Sequence, residues 1–178
     1  MKQIRFVTSN KDKVKEAQAI LKEIKVIPLA LELPELQGDP ETVTREKTRY
    51  AFSQLKKPLI VDVTALCFDA LHGLPGIYIK HFLEKLGREG VVKLLHPYSD
   101  KRATAICSIG YHDGKKIRVF VGETRGTIVQ PRGDRFGWDP VFQPEGFHQT
   151  YAEMTEEEKN KISHRTKALE KLRSFLLD

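Results

Sequence analysis

Several short stretches of this chain hold the side chains that could do chemistry. TSNKDK gathers Thr8, Ser9, Asn10, Lys11 and Lys13. Hydroxyls, an amide and ammonium groups at the entry to a helix suit an anion, because free N–H groups and the helix dipole favour negative charge there. The same residues also make an ordinary capped, solvated helix start with Asn10 as N-cap. No G-x-x-x-x-G-K-[ST] run occurs, so the segment is not a P-loop. Lys47 lies near the apolar helical arc of Val43, Tyr50 and Ala51. It either snorkels along that arc or aims at an anion from its edge. RFGWDP, Arg135 to Pro140, sets Phe136 and Trp138 around Gly137 and puts Asp139 against a proline. It reads as an aromatic-anchored loop or as a flat wall for a purine ring. In EKNKISHR, an N-cap at Ser163 places His164 and Arg165 in the first turn of the last helix. Cations there oppose the dipole by roughly 0.3–1 kcal/mol each, which solvent or an electron-rich ligand must offset. Glu35, in LPELQG, is a lone loop acid, either solvated or available to a metal that grips phosphates. Mg2+ typically takes one or two protein carboxylates.

The run LIVDVTAL, Leu59 to Leu66, poses a different question. Aliphatic residues lead to Asp62, Val63 and Thr64. Acids at the carboxyl end of a strand often move protons or hold a metal. Only one acid stands where the surroundings would suit two, and Val63 is the residue in doubt.

Local patterns supply the elements that must position these groups. IRFVTS, Ile4 to Ser9, is a short strand. Val14, Ala17, Leu21 and Ile24 follow at helical spacing. A second strand falls near Lys25 to Leu31, and Asp39-Pro40 opens a helix running to about Leu55. LIVDV is a strand covered on both faces. Beyond GLPG, the residues Tyr78, Ile79, Phe82, Leu83 and Leu86 mark a helix, and GREGVVKLL supplies another short one. RATAICSIGYH and KKIRVFVG form a hairpin around Asp113-Gly114, with TRGTIV as a further strand. Thr155 and Glu158 form a capping box, and Ala168, Leu169, Leu172, Phe175 and Leu176 give the last helix its apolar stripe. The expected architecture is α/β, a mixed sheet flanked by helices, in two lobes with a cleft between them.

Composition narrows the functional classes. At 178 residues the chain is expected to be one domain, 1–178. No apolar run approaches the roughly 18 residues that cross a bilayer, and the N-terminus lacks a signal-peptide pattern. Cys67 and Cys107 sit in apolar strand-like contexts and read as reduced core thiols. A cytoplasmic protein without membrane attachment is expected. The net charge of +6 suggests an anionic partner. The basic residues are scattered, however, which argues against nucleic acid and suits a phosphorylated small molecule.

Together the motifs resemble the inosine triphosphate pyrophosphatase family. TSNKDK, LPELQGDP, LCFDALHGLPGIYIKHFLEKL, RFGWDPVFQPEGFHQTYAEM and EKNKISHRTKALEKL carry the resemblance in order over nearly the whole chain. It implies an elongated α/β fold with a central substrate cleft. It also implies hydrolysis of ITP, dITP and XTP to the monophosphate and pyrophosphate with Mg2+, usually by a homodimer. By the same resemblance, Thr8, Ser9, Asn10, Lys11 and Lys13 hold the triphosphate, Lys47 adds a cation, and Lys80 is a further substrate lysine. Phe136, Gly137, Trp138 and Asp139 meet the base and sugar, while Lys159, His164 and Arg165 read the purine's keto group. Glu35 and Asp62 are the implied metal ligands, and Thr64 matches the hydroxyl after the acids.

In that family the strand ends in two acids and then Thr or Ser. Aligned without a gap, Asp62 takes the first acid's place and Val63 the second, which the resemblance ties to catalysis. Three explanations stand. Val63 cripples an enzyme whose binding residues survive, at a cost of about 10²–10⁴ in rate for a lost general base. Alternatively Asp62 substitutes, which requires a slip or bulge because successive strand side chains face opposite ways. Otherwise an acid such as Glu35 is recruited from elsewhere. A purine nucleotide-binding protein without turnover is the rival reading.

Overall fold

The structure is a computed structural model that describes residues 2–178. Along the chain come β1 (Gln3–Val7), α1 (Lys11–Leu21), β2 (Lys25–Leu29), α2 (Pro40–Leu55) and β3 (Leu59–Phe68). Next are β4 (Pro75–Gly76), α3 (Ile79–Lys93), β5 (Arg102–His112) and β6 (Ile117–Ile128). Last come β7 (Phe142–Pro144), α4 (Glu156–Ile162) and α5 (His164–Leu177). The seven strands form one open mixed sheet in the order β2-β1-β3-β5-β6-β7, with β4 paired to β3. β1 runs parallel to both β2 and β3, whereas β4 and β7 pair antiparallel. This is the α/β mixed sheet flanked by helices that the sequence predicts. No helix among the described residues is long and apolar enough to cross a membrane.

Side-chain caps start the helices where the sequence places them. Asn10 accepts from the amides of Asp12 and Lys13, and Asp39 accepts from that of Thr42 with Pro40 in the first turn. Thr155 and Glu158 close a reciprocal capping box on α4. One expectation needs correction. TRGTIV is no separate strand but the end of β6, because no turn residue interrupts the ladder. The two helices expected beyond GLPG meet within α3 at Gly87, whose φ of 67° and ψ of 176° leave the helical region and kink the chain between them.

The chain divides into two compact units, 1–64 with 107–122 and 164–178, and 65–106 with 123–163. In the first, the sheet is covered on both faces. Phe6, Ile60, Cys107 and Ile109 pack with Leu21 of α1 and Leu169 and Leu172 of α5. Val7, Leu59 and Val61 pack the other way, against Ala51, Phe52 and Leu55 of α2. A strand buried on both sides has no polar face, so LIV is unbroken. Each such fully buried Leu or Ile stabilises by about 1.5–3 kcal/mol. Gly122 of β6 lets α5 lie almost on the strand: a Cβ there would stand 2.1 Å from the carbonyl oxygen of His164 and 2.5 Å from the amide nitrogen of Ala168.

The second unit has its own core. Leu66, Phe68 and Ile128 from the strands meet Ile79, Val91 and Leu95, and an aromatic group of Trp138, Phe142 and Tyr151 fills the rest. The Trp138 and Phe142 rings meet edge to face at 5.6 Å, and Phe142 and Tyr151 lie 5.0 Å apart. Such pairs add about 0.5–1.5 kcal/mol beyond their burial.

Candidate functional site

Asp62 is the hub of the first unit. It lies two residues after Ile60 on β3, so strand alternation turns its carboxylate toward α1 and α5. Lys13, in the first turn of α1, donates to Oδ1 at 2.5 Å. Arg165, in the first turn of α5, donates its Nε to Oδ2 at 2.9 Å. The Thr64 hydroxyl donates to Oδ1 at 3.0 Å, and the Cys107 thiol lies 3.4 Å from Oδ2. The other side of the Arg165 guanidinium meets the Glu16 carboxylate, and its Nη2 donates to Thr64 at 3.2 Å. Asp62 and Arg165 side chains are 1% and 4% exposed, against 21% for Lys13, so of the three only the lysine keeps contact with the surface.

These contacts set the titration of the cluster. Burial alone pushes the Asp62 carboxyl up, but the charges of Lys13 and Arg165 and their hydrogen bonds outweigh it. The net result holds Asp62 far below the usual carboxylate range. Burial lowers the Arg165 guanidinium, yet Asp62 and Glu16 reverse that and fix it as a cation. Burial, then the Asp62 charge, drives the Cys107 thiol well above its usual range, so it stays a neutral donor. A carboxylate held this far down is a poor proton acceptor near pH 7. The cations that oppose the start of α5 are therefore offset, for Arg165, by the protein's own carboxylates.

Val63 faces away from this cluster. It shares its face of β3 with Leu59 and Val61, toward α2, and is buried. The hydrogen bond between Thr64 and Asp62, two apart on one face, fits a regular strand without a bulge at this point. The short link from Lys56 to Pro58 reverses the chain, so moving back along α2 from Ala51 keeps step with moving forward along β3 from Val61. Lys47 is the residue one turn back. Its stem is largely buried and its ammonium bonds the Glu35 carboxylate at 3.2 Å, while Glu35 is 91% exposed.

The second unit gathers a different group. The Lys159 ammonium of α4 donates to the Asp139 carboxylate at 2.6 Å, with both side chains buried. It also stands 5.3 Å above the Phe136 ring and 5.4 Å from that of Tyr151. Phe136 is half-buried, but Trp138 is only 8% exposed and belongs to the aromatic core. Of the two rings considered as a wall, Phe136 alone has an outer side. Gly137 makes the turn between them at φ 63°. Lys80 stands apart, 86% exposed and 3.8 Å from Glu84.

The sequence-predicted residues thus fall into local groups: Lys13, Asp62, Thr64 and Arg165; Glu35 with Lys47; and Phe136, Asp139 and Lys159. Thr8 and Asn10 shape the turn before α1, where the Asn10 amide bonds the Thr8 hydroxyl at 3.1 Å, and Ser9 and Lys11 are exposed there. His164 is buried at the start of α5. Two participants escape the sequence reading. Glu16 lies three residues beyond Lys13, one helical turn on, and that spacing is its signal. Cys107 carries none.

The implied metal ligands do not come together in one protein site. Among the described residues no three His, Cys, Asp or Glu come together. Glu35 offers one carboxylate, Val63 has no donor atom, and Asp62 is taken up by two cations on the other face of the sheet. Glu35 and Asp62, expected to share a metal, keep separate partners.

The open mixed sheet and its helices define an α/β protein. Residues 4–175 match the Ham1 family, and the chain belongs to it. The resemblance read from the five sequence blocks is borne out at that level. A Ham1 protein from Coxiella burnetii is 29% identical, with 99% of each chain covered and a TM-score of 0.88. A Ham1 protein from Staphylococcus aureus is 28% identical over 99% of this chain and 98% of that one, at 0.85. A nucleoside-triphosphatase, a dITP/XTP pyrophosphatase, from Mycobacterium abscessus is 26% identical over 96% of this chain and 98% of that one, at 0.75.

Proposed function

We propose that this chain binds non-standard purine nucleoside triphosphates, such as ITP, dITP and XTP, and cleaves them slowly to the monophosphate and pyrophosphate. Thr8, Ser9, Asn10, Lys11, Lys13 and Lys47 serve the phosphates. Phe136 provides the ring wall, Asp139 and Lys159 work beneath it, and His164 serves the base. Arg165, committed to Asp62 and Glu16, orients the cluster rather than reading the purine's keto group. Magnesium enters as part of the substrate, the chelate the nucleotide forms in solution. Placing a water in line with the phosphorus and neutralising the leaving pyrophosphate are the main tasks, and lysines suit the second. The homodimer and cytoplasmic location implied by the resemblance belong to the same proposal.

One observation carries the slow rate: Asp62 is committed to Lys13 and Arg165 on the face of β3 opposite Val63. Asp62 therefore cannot stand in for a base on the α2 face. Restoring an acid there tests the reading. Pyrophosphate release from ITP, XTP, ATP and GTP is measured with Mg2+ for the chain and for Val63→Asp. At least a tenfold gain for ITP and XTP is expected, a floor set below the about 10²–10⁴ that a well-placed general base is worth. A folded, nucleotide-binding Val63→Asp protein that gains nothing would sink this account. The committed state of Asp62 also supports a second reading, binding without turnover; retained ITP affinity with no pyrophosphate released from the unmodified chain would select it.

A further inference from the structure

Arg88 stands just beyond the bend of α3 at Gly87 and reaches the loop that carries Phe136. Its Nε donates to the carbonyl of Gly137 at 3.0 Å, and its Nη2 donates to the carbonyl of Arg135. These carbonyls belong to the peptide planes on either side of the Phe136–Gly137 peptide. One rigid guanidinium therefore fixes both outer planes, and the turn between them is left little freedom. The loop has a second tie, because the Arg135 side chain donates to the carbonyl of Met154 at 2.8 Å. Without the first tie, Gly137 at φ 63° would be free to swing, since nothing lies within 4 Å of where its Cβ would be.

We propose that Arg88 is a positioning residue that presets this loop, so that the outer side of the Phe136 ring is held ready for a flat heteroaromatic base. The inference rests on the reading of Phe136 as the base wall. Holding a loop in its bound form raises affinity by removing the cost of ordering it.

Trp138, the only tryptophan, sits in this loop and reports on it without any ligand. Arg88→Met and Arg88→Lys are made in the full chain, and thermal unfolding is checked for each. Acrylamide quenching of Trp138 is measured together with affinity for ITP and for inorganic tripolyphosphate, which has no base. Arg88→Met should raise quenching about twofold and weaken ITP about fivefold, leaving tripolyphosphate unchanged. Arg88→Lys, which can reach only one carbonyl well, should fall between. Unchanged quenching and unchanged ITP affinity overturn the role of Arg88. Raised quenching with unchanged ITP affinity upholds the tie and overturns Phe136 as the base wall. Equal loss for ITP and tripolyphosphate overturns the positioning role in favour of a plain charge effect.

Discussion

Two buried lysine–aspartate pairs invite comparison, one in each compact unit. Lys13–Asp62 and Lys159–Asp139 have nearly the same separation, 2.5 and 2.6 Å. In the first, the carboxylate is the deep partner and the lysine lies at the edge; in the second both are buried. Asp62 is shared with Arg165, which is shared in turn with Glu16, so the first pair belongs to a network of alternating charge. Lys159 instead leans on the faces of Phe136 and Tyr151. The first arrangement fixes an acid so firmly that it is a poor proton acceptor, and leaves its lysine partly exposed. The second keeps its lysine beneath a ring. Burial depth of each partner, more than pair distance, separates the two pairs.

Breaking the network should have the largest effect. Asp62→Ala removes the carboxylate that Lys13 and Arg165 share, leaving Glu16 as the acid on Arg165, and should cost about 3–5 kcal/mol in urea unfolding. The pH dependence has a definite sign. Because the folded Asp62 carboxyl titrates below its ordinary 3.8, its contribution is complete above that pH and fades as pH falls toward the folded value. The gap between the native and Asp62→Ala proteins should therefore stay constant from pH 8 to about 4 and narrow only in stronger acid; a gap that closes near pH 6 would point to another group. Asp139→Ala should cost somewhat less, about 3 kcal/mol, because the two rings still favour the Lys159 ammonium. A loss larger than that of Asp62→Ala would invert the comparison. The smallest effect sharpens it: Lys13→Ala should weaken triphosphate binding about tenfold while leaving monophosphate binding nearly unchanged, the value of one charge-assisted contact. Equal losses for both ligands would place Lys13 away from the outer phosphates.

Much of the fold was legible because its signals are local. Asn10, Asp39 and Thr155 cap amides two or three residues away, so sequence distance and spatial distance agree. β4 and β7, with two and three residues, are too short to show a period. The continuity of β6 was missed because Thr124 and Gly126 imitate a break that the ladder ignores. The clusters of charge were legible as single candidate residues but not in their pairings. Asp62 and Arg165 lie 103 positions apart, and Arg88 and Gly137 lie 49 apart. No spacing rule reaches that far. Burial of Trp138 was equally hidden, since in an irregular loop neither periodicity assigns a ring to the inside. Position along a strand did carry one piece of mechanism: alternation alone separates Asp62 from Val63.

Gly122 extends the story of the charge network to a residue that touches none of it. The main chain of α5, not a side chain, lies where its Cβ would be. Neighbouring residues therefore cannot repack to absorb even a methyl group; the helix itself must lift. Arg165 sits one residue beyond His164 on that helix, so lifting it draws the guanidinium off Asp62. In the course of sequence drift, a neutral-looking glycine-to-alanine change on β6 would act as a mutation of the charge cluster, and its compensation would have to be sought on α5 rather than around β6.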